Sequence, residues 1–345
     1  MSSIPSFNLF PPPSSRLGKG FAVRQRNSFN LLVPNSPFRG AVLDLGSNTF
    51  KLLLAEQIGS TLRIHHEKAY PVRLGEGVAL THRIHPLACR RALRQIITLH
   101  RKIRAFRPDQ MVAVGTSTLR RATNSKSFLS PATRILSQKI TILSGQEEGR
   151  LIALATRSLS RNPNPRFHID LGGGSLEVID SLDPNHPKIV SLNLGCVAVR
   201  DSLLPHYPPA PNEWKKAVSS IRTSLKKIPA PSGHPQATFS GGTGHAYACL
   251  LRRRNMKARR LEGFSLTLSQ LKSLLYRILP LSLPKLRALP GMPRDRASVA
   301  LPAFLVLLQT MERLKLRSVR LTTHGLRYGV WIAHLAPAPI RKIVR

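Results

Sequence analysis

Val42-Leu43-Asp44-Leu45-Gly46-Ser47 and His168-Ile169-Asp170-Leu171-Gly172-Gly173 state one theme twice, about 126 positions apart. In each, an apolar run of the kind that forms a buried strand ends at Asp-Leu and is broken by glycine. After the first, Gly46-Ser47-Asn48 reads as a tight turn and Phe50 to Ala55 as a returning strand. After the second, Gly172-Gly173-Gly174-Ser175 is the turn and Leu176 to Asp180 the return. Apolar runs this close across a glycine turn form a hairpin. Residues 61–74 and Ile189 to Leu194 then read as third strands. The period is far too long for a solenoid repeat. It predicts two similar α/β domains facing one another.

The rest of the chain fills in around these hairpins. Cys89 to Phe106 has helical apolar spacing, with Arg90, Arg91, Arg94, Arg101, Lys102 and Arg104 on its other face. Met111 to Val114 reads as a strand ending at Gly115-Thr116-Ser117, followed by a helix through Arg120 and Arg121. Ile140 to Leu143 leads through Ser144-Gly145 into a helix beginning near Glu147. Ala237 to Ser240 runs into Gly241-Gly242-Thr243-Gly244, and Val319 to Thr322 is a last strand before a helix from Leu326. Val299 to Met311, interrupted by Pro302 and Gln309, reads as a buried helix, shorter than the roughly 18 residues of a membrane span. The expected division is a disordered basic extension over 1–39, domain I over 40–158 and domain II over 159–345. The last helix is free to pack back on domain I, and the Asn/Pro segment 161–165 sits near the crossover. The Ser- and Arg-rich, acid-free composition of 1–39 also suits an organelle transit peptide.

Composition narrows the partners. Across 345 residues, 53 Lys and Arg against 16 Asp and Glu give a net charge of +37, which attracts polyanions: nucleic acid, acidic membrane or polyphosphate. A hydrophobic fraction of 42% excludes a wholly disordered chain. Cys89, Cys196 and Cys249 are too scattered for a disulfide framework or a cysteine zinc site, and fit a reducing compartment. The histidines show no H-E-x-x-H spacing. Aromatics, at 6%, give little material for base stacking, so nucleic-acid recognition has no motif behind it.

Acid is scarce, so its placement is informative. Asp44, Glu147, Glu148, Asp170 and Glu177 fall in three short segments rich in Gly, Ser or Asn. Asp44 beside Gly46, Ser47 and Asn48 is either an ordinary hairpin turn or an anion-binding loop with a carboxylate at its edge. Gly172, Gly173, Gly174 and Ser175 offer amides to a phosphate, while Asp170 and Glu177 bracket them as hard oxygen ligands for Mg²⁺. Thr116, Ser117 and Arg120 form a phosphate clamp at a helix start, or a solvated helix face. Glu147 and Glu148 either complement the helix dipole or orient a water. Gly241, Gly242 and Thr243 suit phosphate binding and a structural turn equally.

Taken in order, these motifs resemble the exopolyphosphatase / guanosine pentaphosphate phosphohydrolase (Ppx/GppA) family, within the actin/hexokinase/Hsp70 ATPase superfamily. The matching segments are Val42 to Asn48, Val114 to Arg120, Leu143 to Glu148, Ile169 to Glu177, Leu194 to Val197, Gly241 to Thr243 and Gly325 to Gly329. The resemblance implies two ribonuclease H-like domains with an active-site cleft between them, and a chain limited to this two-domain core. It implies Glu148 and Arg120 as catalytic, Glu148 orienting the attacking water. Asp170, Glu177 and Asp44 would hold Mg²⁺, or Mn²⁺ in its place, and the glycine loops with Asn48 and Ser175 would contact phosphate. The expected activity is Mg²⁺-dependent release of the terminal phosphate from inorganic polyphosphate. Guanosine pentaphosphate is the rival substrate, and a non-catalytic polyphosphate or nucleotide sensor the rival class. No specific nucleic acid or membrane partner is expected; a homodimer is allowed, and the expected location is cytoplasmic unless 1–39 directs the chain to an organelle. Three departures bear on substrate preference: Leu176 where the family usually has Thr, Gly149 where Ala is common, and Thr323-His324 where an acid and glycines precede Leu-Arg.

Overall fold

The computed structural model describes residues 36–159, 165–257 and 260–345. The extension read over 1–39, save its last four residues, and most of the 161–165 segment lie outside the described residues. The first half opens with β1 (Phe38–Leu45), β2 (Thr49–Ile58) and β3 (Thr61–Pro71), then α1 (Val78–Thr81) and α2 (Pro86–Phe106). It continues with β4 (Gln110–Gly115), α3 (Ser117–Arg121), α4 (Lys126–Leu136), β5 (Ile140–Ile142) and α5 (Gly145–Leu159). The second half runs β6 (Phe167–Leu171), β7 (Leu176–Asp180), β8 (Lys188–Leu192), α6 (Cys196–Leu203), α7 (Pro211–Leu225), β9 (Ala237–Ser240) and α8 (Gly242–Leu251). Then come β10 (Ser265–Thr267), α9 (Leu268–Ile278), α10 (Leu283–Ala288), α11 (Ala297–Arg313), β11 (Ser318–Leu321), α12 (Leu326–His334) and β12 (Lys342–Val344).

The duplication is visible in the strand order. One sheet runs β12-β3-β2-β1-β4-β5 and the other β10-β11-β9-β6-β7-β8. In each half an antiparallel three-stranded meander is extended by a strand parallel to its first: β4 beside β1, and β9 beside β6. The chain does not divide cleanly at one point. β12 pairs with β3 at the edge of the first sheet, and α12 packs on α5 and β1, so the C-terminal segment rejoins the first half. The physical cause is the apolar face of α12: Leu326, Tyr328, Val330 and Trp331 are buried with Val42, Leu53 and Val114.

Two helix boundaries follow from local chemistry. The sequence places a helix from Cys89, whereas α2 begins at Pro86, because His85 Nδ1 accepts from the Leu87 amide and proline fits the first turn. In α11, buried over Ala297 to Met311, Pro302 supplies no N–H for the Ser298 carbonyl. The Tyr207 hydroxyl donates to that carbonyl instead, at 2.7 Å. Among the described residues no helix is long and apolar enough to cross a membrane.

Side-chain alternation decides where the acids go. Ala41, Leu43 and Leu45 of β1 bury against α2 and α4, so Val42 and Asp44 face the opposite layer. Phe167, Ile169 and Leu171 of β6 bury in the second core with Leu176 and Val178 of β7. His168, Asp170 and Glu177 therefore turn to the other face, toward α5. Both hairpins aim their aspartates into the space between the sheets.

Candidate active site

That space contains an open cleft of about 530 Å³. Its walls come from both halves: Asp44, Gly46, Ser47, Asn48 and Thr116 on one side, Asp170, Gly172 to Ser175, Gly241 and Gly242 on the other, with Glu148 between. Thirteen residues singled out in the sequence are thereby brought together. Ser117, Arg120, Glu177 and Thr243 are not on this wall. Ser117 opens with Arg121 onto a smaller hollow behind the loops, about 220 Å³ in volume. Glu177 lies fully buried beneath the cleft, and Thr243 is buried in α8.

The first turn of α5 separates the two adjacent glutamates. Glu147 and Ser144 form a reciprocal cap: Ser144 N–H donates to Glu147 Oε2 at 2.7 Å, and Glu147 N–H donates to Ser144 Oγ at 3.1 Å. Glu147 is thus a capping residue. Glu148, one step round the helix, is buried, and its Oε2 lies 3.6 Å from an Arg120 nitrogen. That nitrogen also donates to the Leu143 carbonyl at 2.5 Å, so the guanidinium is held between strand end and helix start.

The two hairpins treat their aspartates differently. Directly across β1 and β2, Asp44 faces Lys51, with Nζ 3.4 Å from Oδ2. At the matching place in the second half, Asp170 faces Glu177. Like charges opposed across a ladder repel. Burial, with Asp170 beside it, pushes the Glu177 carboxyl up to about 7, although Ser191 Oγ donates to it at 2.8 Å. Burial, reinforced by Glu177, holds Glu148 well above the usual carboxylate range, while Arg120 opposes the shift. Ser240 Oγ donates to Asp170 Oδ1.

The glycine loop is clasped from behind. The first amides of α6 donate to its carbonyls, Cys196 N–H to Gly172 at 3.0 Å and Val197 N–H to Gly173 at 2.8 Å. In a trans peptide the next N–H points the opposite way. The amides of Gly173 and Gly174 are therefore turned from α6, and both residues line the cleft. A side chain at Gly174 would meet the Ser47 and Ser117 hydroxyls at 2.6 Å, so only glycine lets the two loops approach so closely.

Two basic cleft residues carried no motif in the sequence reading. Lys51 is legible only as the seventh residue after Asp44, and Arg296 is one basic residue among many. Arg296 lines the cleft beside Gly242, whose missing side chain leaves room for the guanidinium. Cross-strand register singles out Lys51, and the packing of distant elements singles out Arg296.

The model of the Ppx/GppA phosphatase family matches residues 54–337. The chain belongs to the Ppx/GppA phosphatase family. Solved structures agree on its fold. An Aquifex aeolicus Ppx/GppA enzyme superposes with a TM-score of 0.72 at 24% identity, covering 87% of this chain and 100% of that one. An exopolyphosphatase from Cytophaga hutchinsonii gives 0.73 at 20% identity, over 85% and 96% of the two chains. The two similar α/β halves expected from the duplication, ribonuclease H-like as the resemblance implied, are therefore the architecture of this Ppx/GppA phosphatase.

The buried acids of this Ppx/GppA phosphatase have a consequence for stability. Glu177 in the folded protein titrates at about 7, above its ordinary 4.5. Between those values the folded chain keeps a proton that the unfolded chain has released. This contribution to stability is full below the ordinary value and is lost as pH rises through the folded one. In metal-free protein, Glu177→Gln should therefore gain in Tm over the wild type as pH is raised from about 5 to about 8. Thermal melts across that range check it; a difference flat with pH contradicts the buried, repelled carboxyl.

Proposed function

We propose that the cleft removes the terminal phosphate from inorganic polyphosphate with Mg²⁺, or Mn²⁺, as the metal. One observation carries the reading. Among the described residues, buried atoms without a hydrogen-bond partner include, at the cleft, the donors Ser47 Oγ and Asn48 Nδ2 and the carboxylate oxygens Asp44 Oδ1 and Glu148 Oε2, with Glu177 Oε2 beneath it. Unsatisfied buried groups call for a ligand. Donors at the glycine loops match an anion, and carboxylate oxygens beside them match a cation. A phosphate chain with its divalent metal supplies both.

The residues fit the metal. Among the described residues no three His, Cys, Asp or Glu side chains form a ready cage. Mg²⁺ needs none: it keeps several waters and takes one or two carboxylates plus phosphate oxygens. Asp170 and Glu177, which face each other across the hairpin and form no ion pair among the described residues, would hold it; Asp44 already has Lys51. When bound, the metal would polarise a phosphoryl oxygen and offset charge building in the transition state.

The chain's own residues then divide the work. The turned-out amides of Gly173 and Gly174, with Ser47, Asn48 and Ser175, seat the terminal phosphate. Arg120 supplies positive charge to its equatorial oxygens. Glu148 aligns the attacking water and takes its proton. Its raised pKa suits a base working near neutrality, once the negative charge of Asp170 and Glu177 is offset.

Polyphosphate is favoured over guanosine pentaphosphate because, among the described residues, no aromatic side chain lines the cleft to stack on a guanine. Phosphate release measured side by side on the two compounds tests the reading. Faster release from polyphosphate supports it, and faster release from guanosine pentaphosphate replaces the substrate. Binding without release, with Mg²⁺ present, makes the protein a sensor and ends the enzymatic proposal.

A further inference from the structure

Behind Asp170 lies a polar file that the reaction above does not use. His168 is buried on the same face of β6, with Thr238 and Ser240 beside it on β9. Its Nδ1 lies 2.7 Å from Thr238 Oγ1 and its Nε2 3.0 Å from Ser240 Oγ. Ser240 in turn donates to Asp170 Oδ1.

Counting protons gives the file a direction. A serine hydroxyl has one proton. Ser240 gives its proton to Asp170, so the bond to His168 must come from the ring: Nε2 carries the hydrogen. Thr156 Oγ1, 3.2 Å from Nδ1, already donates to the Ile152 carbonyl, which leaves Thr238 as the hydroxyl free to donate to Nδ1. Thr238, His168 and Ser240 then form successive donors, all directed at one oxygen of Asp170.

The duplication supplies an internal control. The positions matching His168, Thr238 and Ser240 in the first half are Val42, Val112 and Val114, in the same parallel register beside Asp44. The topology is thus built there with three valines. Buried hydrogen-bonding side chains are not a requirement of the fold at this place. What differs between the halves is the aspartate: Asp44 is anchored by Lys51, whereas Asp170 faces Glu177 and forms no ion pair among the described residues.

We propose that His168 is a positioning residue for the reaction, fixing Asp170 through Ser240 so that one carboxylate oxygen is anchored and the other is left for the cleft. This rests on the functional reading above. Ring nitrogen NMR on metal-free full-length protein tests the direction of the file: His168 is expected with its proton on Nε2, and an Nδ1–H ring bonded to an Nε2 acceptor overturns the proposal.

Mg²⁺ titrated calorimetrically into metal-free wild type, His168→Leu and His168→Gln, each with its Tm, tests the consequence. His168→Leu should weaken Mg²⁺ binding by about 10-fold or more, the usual scale for loss of a group that orients a metal ligand, and His168→Gln should recover to within about 3-fold. Gln keeps an N–H to offer Ser240; Leu has none. Equal binding in wild type and a folded His168→Leu overturns the proposal, as does an equal loss in both variants. If His168→Leu does not fold, Ser240→Ala replaces it with the same expected loss, and wild-type binding there overturns the proposal. A wild type that binds no Mg²⁺ defeats the functional reading, and the ring tautomer then decides the direction of the file by itself.

Discussion

Replacing Glu148 by glutamine lowers turnover by about 10²–10⁴, the scale of a lost general base, while polyphosphate still binds. Glutamine keeps the size and one oxygen of the side chain, so the first turn of α5 and its Ser144–Glu147 cap stay in place. What it lacks is a carboxylate able to take a proton from water. The substitution also removes one of the buried negative charges that repel Glu177. Stability of the metal-free protein should therefore hold or rise, which separates loss of chemistry from loss of fold. Steady-state phosphate release, polyphosphate binding and a thermal melt on one preparation decide the matter. Unchanged release would remove Glu148 from the mechanism.

Gly195→Ala is expected to lower kcat/KM by about 10²-fold, the effect of misplacing a reacting group by about 1 Å. The backbone at Gly195 is ordinary, φ −63° and ψ 153°, so any residue could adopt it. Space is the constraint. An added Cβ would press into the backbone of Gly173 and Gly174, which has no flexible end to swing aside. Either α6 retreats, losing the Cys196 and Val197 bonds to the loop, or the loop moves into the cleft. Both outcomes turn the phosphate-facing amides out of line. Kinetics with polyphosphate and a melt check this; wild-type kcat/KM would show that the clasp does not set the loop's position.

These two residues illustrate what a sequence can and cannot disclose. Glu148 was legible as a candidate because acid is scarce here and glutamates sit at a helix start. Which of Glu147 and Glu148 does chemistry was not legible from the local pattern, since both readings of the pair were open. The cap takes Glu147, and packing against the second sheet buries Glu148. Gly195 stood in a recognised segment, but its need for glycine comes from a loop some twenty residues earlier in the chain. Lys51 and Arg296 carried no signal, because one basic residue among 53 is informative only once its neighbours are known.

The same contrast applies to the architecture. The strands of both hairpins, the long α2 and the buried α11 follow from apolar periodicity, a local property that short-range sterics and burial enforce. The return of α12 and β12 to the first sheet does not, because an apolar helix face names no partner until the chain has folded. The sequence by itself determined the duplication, the family and the set of acids and glycines from which a site is made. Tertiary structure decided which of them share a cleft and which aspartate has a counter-charge. It also decided that His168 and Ser240 stand behind Asp170 where valines stand behind Asp44. Local pattern specifies which face of a strand a side chain takes, and only the packing of two sheets specifies what that face meets.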